Sequence, residues 1–167
     1  VLNDEELISA IFYLAGGRVR GSTRLQKVVF LVERVLGLGG LRFEPWRYGP
    51  WSRELEKLLK ELEGRGLLKV CAESPDLASE FFGEFPAKVY EASQDLVRSG
   101  EEAFKELARG NPLKAMYMRR LVRAALSVPL SFLIAYIYSS YPETTMRSTI
   151  HDRVEGWRRT YGLRIGG

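Results

Sequence analysis

The 167 residues hold 46% apolar and 28% charged side chains, enough for one cored domain or a domain with a helical appendage, and not a disordered or collagen-like composition. The formal net charge of +4 is a mild lean toward polyanions, unevenly spread: residues 18–69 carry 12 basic and 6 acidic side chains, residues 70–106 carry 3 and 9, and residues 114–167 carry 9 and 3. One cysteine and one histidine, Cys71 and His151, exclude an internal disulfide and a four-ligand structural zinc site.

In chain order, Asn3 with Glu6 forms a capping-box pattern, and Leu7, Ile8, Ile11, Phe12 and Leu14 follow at helical spacing until Gly16-Gly17. The chain is expected to read directly into this helix without a signal peptide. Ser22 or Thr23 caps a second helix to about Leu36, with Leu25, Val28, Val32, Val35 and Leu36 as its apolar stripe. Phe30 falls on the opposite face, near Gln26, Lys27 and Arg34, so a second surface must cover it, either the C-terminal helices or a dimer partner. Residues 41–44 alternate as a short strand, and 45–50 read as a turn-rich loop. Ser52 caps a third helix to about Glu63, ended by Gly64 and Gly66. A strand over 67–72, an acidic loop over 73–86 and a returning strand over 87–92 follow, with Cys71 read as a buried small hydrophobe.

Ser99 with Glu102 is a second capping box, so a fourth helix covers about 99–109 or begins earlier. Asn111-Pro112 opens a fifth, to about Leu126, and Pro129 restarts a sixth, to Tyr141. A seventh covers about 145–159, and the last four residues are expected to fray. Ala124 to Pro142 is uncharged over 19 residues, a length that suits a bilayer, but Pro129, four serines and three tyrosines make it read as a core helix.

This order is that of an α+β, predominantly helical chain: a winged helix-turn-helix core over residues 1–110, and a helical extension over 111–167 packed on it. Thr23 to Leu31, with its Leu25-Gln26-Lys27, followed by Phe43 to Ser52, with its Tyr48-Gly49-Pro50, resembles the uncharacterised YwgA-like proteins of bacteria and archaea. More distantly it is similar to the Panacea domain of SocA-like antitoxins. The resemblance covers residues 20–70, and Tyr141-Pro142-Glu143 more loosely. It implies a winged-helix-like fold, and either duplex DNA binding or the protein contacts of an antitoxin or adaptor. It offers no catalytic residues to carry over.

On the third helix, Leu55, Leu58, Leu59 and Leu62 form the core face and Arg53, Lys57 and Lys60 the opposite one. In a DNA-binding winged helix Arg53 would reach a base edge, and Lys57 and Lys60 would meet phosphates. Glu54, Glu56, Glu61 and Glu63 flank this stripe and oppose that use, so an ordinary solvated face stands beside it. Arg18, Arg20, Arg24 and Lys27, around the start of the second helix, form a further candidate phosphate contact. Trp46, Tyr48 and Trp51 lie beside Arg47: with arginine they would stack on bases or anchor a protein, and otherwise they pack a turn.

Phosphate-loop and nucleophile-elbow patterns are missing, and neither a metal nor a cofactor is called for. The expectation is a cytoplasmic, non-enzymatic, DNA-binding transcriptional regulator. The competing reading is a protein-interaction module using Phe30, Trp46 and Trp51, and a homodimer through the C-terminal helices suits both.

Overall fold

A computed structural model describes residues 2–72 and 88–164. The acidic loop expected over 73–86 and the last three residues of the tail lie outside them. The chain is α+β and mostly helical. The first stretch runs α1 (Asp4–Leu14), β1 (Arg18–Arg20), α2 (Ser22–Leu36), β2 (Glu44–Trp46), β3 (Gly49–Trp51) and α3 (Arg53–Gly64). The second runs β4 (Leu68–Ala72), β5 (Lys88–Ala92), α4 (Gln94–Gly110), α5 (Pro112–Ser127), α6 (Leu130–Ser140), a 3-10 turn (Pro142–Thr145) and α7 (His151–Tyr161).

Local chemistry accounts for most of the boundaries. Both halves of the Asn3–Glu6 capping box form at α1. The Ser52 hydroxyl accepts the Leu55 N–H at α3, and Asn111 accepts the Lys114 N–H at α5, where Pro112 supplies a preset φ. Three expectations are corrected. Neither Ser22 nor Thr23 caps α2; Gly21 does, with φ +94 and no side-chain bond. Ser99 lies inside α4, which begins at Gln94 and is capped by Ser93. The last helix starts at His151, because Pro142 to Thr145 form a separate 3-10 turn.

Two small antiparallel sheets result. The three-stranded sheet has the order β1-β5-β4: Val19 faces Tyr90 in the first pair, and Val70 faces Tyr90 in the second. Gly21 and Ala92 extend the β1–β5 ladder through hydrogen bonds to Lys88 and Gly17. β1, between the first two helices, was not among the expected strands. The other sheet is the β2–β3 hairpin, where residues 45–50 were expected to be a loop. Glu44 faces Trp51 and Trp46 faces Gly49 across an Arg47-Tyr48 turn.

The core is continuous across the expected boundary at residue 110. Ala115, Met118, Val122 and Ala125 of α5, with Leu133 and Ile137 of α6, join one apolar cluster with α1 and α2. At the far end α6 also packs on α7 through Ile134, Ala135, Ile150 and Val154. No helix among the described residues is long and apolar enough to cross a membrane, and α6 is instead buried along most of its length. Cys71, expected to be buried, is only half covered on β4.

A short polar seam closes the loop after α2. Asp4 accepts the Gly40 N–H, and Glu33 accepts the Leu41 N–H at 3.1 Å. Burial pushes the Glu33 carboxyl from its ordinary 4.5 up to about 7; the Leu41 bond opposes this, Asp4 and Glu54 add to it, and Arg34 opposes it. The folded chain therefore keeps a proton that the unfolded chain loses near pH 4.5, so stability falls as pH rises from about 4.5 to about 7. Solvent still reaches the group, so the screened penalty is about 1 kcal/mol. In thermal melts, Glu33→Gln is expected to stabilise the protein at pH 8 and to leave it nearly unchanged at pH 4.5. An equal effect at both pH values would show that ionisation of Glu33 is not the cause.

Candidate nucleic-acid interface

The amphipathic third helix sets the geometry of the candidate surface. Leu55, Leu59 and Leu62 are buried, and Arg53, Lys57 and Lys60 are exposed on the other side. Lys57 and Lys60 have no ion-pair partner among the described residues. Arg53 does: its Nε lies 3.3 Å from a Glu44 oxygen on β2, in a pair that stays well exposed. Glu54 is drawn to Arg42 at 3.7 Å, and Glu5 to Arg65 at 3.1 Å. Exposed pairs of this kind contribute little to stability, but they reduce the field that an approaching polyanion meets.

The second basic cluster does not survive as a unit. Arg18 and Arg20 project from β1, and Arg18 approaches Glu91 on β5 at 3.8 Å. Arg24 turns inward: its guanidinium donates to the Ala125 and Val128 carbonyls, both at 2.9 Å, closing the C-terminus of α5. Burial lowers its pKa, and Arg20 adds a smaller push in the same direction. Lys27 is fully buried, and its ammonium donates to the Pro50 carbonyl at 2.9 Å. Neither Arg24 nor Lys27 is placed to meet a phosphate, and both assignments are corrected.

Phe30 is corrected too. It is 1% exposed, with Phe43 and Tyr141 edge-on at 5.3 Å each and the Arg34 guanidinium 5.1 Å from its ring. Its cover comes from within the chain, so it offers no surface to a partner.

The two motifs behind the YwgA-like resemblance meet in space. Gln26 donates to the Ser52 carbonyl at 3.0 Å and accepts the Ser52 N–H at 2.8 Å. With the Lys27–Pro50 bond, this clamps β3 and the N-cap of α3 onto α2. Gly49 has φ +99, and an added Cβ would lie 3.1 Å from the Tyr138 ring and 3.6 Å from Lys27. The glycine that opens β3 and the buried lysine thus explain each other sterically.

The hairpin presents its aromatic residues beside α3. Trp46 is exposed, Trp51 half-buried, and Arg47 exposed with its guanidinium 5.8 Å from the Trp46 ring. The Arg47 carbonyl accepts the Thr149 N–H at 2.9 Å, tying the turn to the segment before α7. Two features have no counterpart in the sequence reading. Glu44, Trp46, Trp51, Arg53 and Glu56 line a surface cleft, and the outward face of α5 leaves Leu113, Met116 and Tyr117 57%, 40% and 51% exposed. Among the described residues, no cluster of three or more His, Cys, Asp or Glu side chains is arranged to hold a metal.

No protein-family model matches this chain, and no curated protein matches it.

Proposed function

We propose that the first part of the chain is a winged-helix module of a cytoplasmic, non-enzymatic regulator that binds duplex DNA through α3. The observation that carries this reading is topological. Setting aside the β2–β3 insertion, the order α1-β1-α2-α3-β4-β5 with strand order β1-β5-β4 is a helical triplet closed by a hairpin whose return strand pairs with β1. That arrangement holds α3 by its leucine face and leaves Lys57 and Lys60 directed outward and unpaired.

In this reading Lys57 and Lys60 contact phosphates, while Arg53 exchanges Glu44 for a base edge. Arg18, Arg20 and Arg47 remain as outlying phosphate contacts. Anisotropy of a labelled mixed-sequence duplex at several salt concentrations tests it. Affinity is expected to fall linearly in log–log form, and Lys57→Ala with Lys60→Ala to reduce the slope by about 2. A slope unchanged by the double substitution would remove α3 from the interface.

The outward face of α5 favours a second reading, an adaptor or antitoxin-like protein module. Leu113, Met116 and Tyr117 are exposed there beside Arg120 and Arg123, and α5 contains no acidic residue. Absence of duplex binding at low salt, together with a stable protein complex lost on Tyr117→Asp, would select it.

A further inference from the structure

The cleft between the hairpin and α3 has a chemistry of its own. Residues two apart on a strand share a face, so Glu44 and Trp46 lie on one side of β2. Trp51 stands opposite Glu44, which sets the two indoles diagonally across the same face. The first turn of α3 completes the walls with Arg53 and Glu56, around about 400 Å³ of space.

Two carboxylates and one guanidinium line it. Glu44 is engaged by Arg53, but Glu56 has no ion-pair partner among the described residues. An indole face attracts a cation through its quadrupole, and Arg47 already lies 5.8 Å from the Trp46 ring. Glu56 therefore offers an unpaired carboxylate beside two indoles.

We propose that this cleft accepts an arginine or lysine side chain of a protein partner, which stacks on Trp46 or Trp51 and pairs with Glu56. Arg53 is then a resident competitor for the same carboxylates. The site does not depend on α3 binding DNA, and it places a protein contact at the N-terminal end of the helix, beyond the lysines proposed for phosphate. Phosphate itself is disfavoured inside the cleft by the two glutamates.

The test is anisotropy of a short labelled peptide of alternating glycine and arginine, with a glycine–glutamate peptide as control, against the full chain. The arginine peptide is expected to bind and the glutamate peptide not to. Glu56→Gln is expected to weaken binding about tenfold, a loss of the size expected for a charge-assisted contact. Arg53→Ala is expected to tighten it about threefold, by freeing Glu44. The same Arg53→Ala weakens duplex binding if α3 reads DNA, so the two proposals give opposite signs and can fail separately. Glu56 is on the surface, so its variant is expected to fold, which melting confirms. No binding of the arginine peptide, or equal affinity in Glu56→Gln, would overturn the proposal. So would a single-stranded oligonucleotide that binds in the cleft and tightens on Glu56→Gln, since that marks a base-stacking site instead.

Discussion

Gly100→Ala is expected to destabilise the protein by about 3 kcal/mol or more, lowering its melting temperature by roughly 6–12 °C if it folds at all. Gly100 lies in the middle of α4 against α1, where the backbones of the two helices touch. A Cβ there would sit 2.0 Å from the Ser9 carbonyl oxygen and 2.4 Å from its carbon. That is far inside van der Waals contact, and the obstacle is backbone in the centre of a helix, which cannot swing aside as a flexible side chain would. Either α1 and α4 separate along the core or the backbone distorts, and both forfeit packing around Leu96, Phe104, Leu7 and Ile11. Gly156→Ala in α7 is the control. An added Cβ there meets nothing within 4 Å, so the better helix former stabilises by about 0.5–1 kcal/mol. Melts followed by circular dichroism separate the two. Equal, small effects would mean that α1 and α4 are not in direct backbone contact.

Gln26→Leu has the next largest expected cost, about 1–3 kcal/mol. The change keeps the side-chain volume roughly constant but leaves the buried Ser52 N–H without its partner, while the Ser52 carbonyl loses one of its two donors and keeps the Glu56 N–H at 3.3 Å. An unsatisfied buried backbone group costs about 1–3 kcal/mol. The damage is directional, because Ser52 caps α3 and its hydroxyl must meet the Leu55 N–H. Besides the lower melting temperature, faster amide exchange is expected at residues 51–55 than in α1. A uniform acceleration across both regions would show only global destabilisation, and no acceleration would show that the clamp does not hold α3.

The helices were legible wherever a cap and a stripe agreed. Asn3 with Glu6, Ser52 before Leu55, and Asn111 with Pro112 each mark a start that the structure shares. Ser99 misled because the spacing of a capping box also occurs inside a helix; the true cap, Ser93, sits where the chain leaves β5, a tertiary circumstance. The β2–β3 hairpin was illegible for a similar reason. It carries Pro45 and Pro50 opposite each other and has no glycine or asparagine at its two turn residues, so nothing local announces pairing. Bonds from Gln26 and Lys27, far away in sequence, help hold it.

The candidate site was half legible. Lys57 and Lys60 lie on the expected exposed face, because leucine spacing fixes which way α3 turns. Lys27 and Arg24 were misplaced because a charge count does not say what covers a helix. One signal was present: Phe30 and Lys27 are three residues apart and share a face, so whatever buries the first must crowd the second. The cleft at Glu56 needed the hairpin's register, and so could not be read from helical periodicity at all.

The pairing of α1 with α4 also has a consequence for the newborn chain. Ser9 and Gly100, in contact in the finished protein, are separated by 91 residues. At a synthesis rate of about 5–20 residues per second, α1 waits on the order of 5–20 s before the helix that buries its apolar face has even been polymerised. β1 waits nearly as long for β5. Native closure of this core therefore waits for α4, and until then Leu7, Ile8, Ile11 and Phe12 form a greasy ribbon for which the ribosome surface and holding chaperones compete.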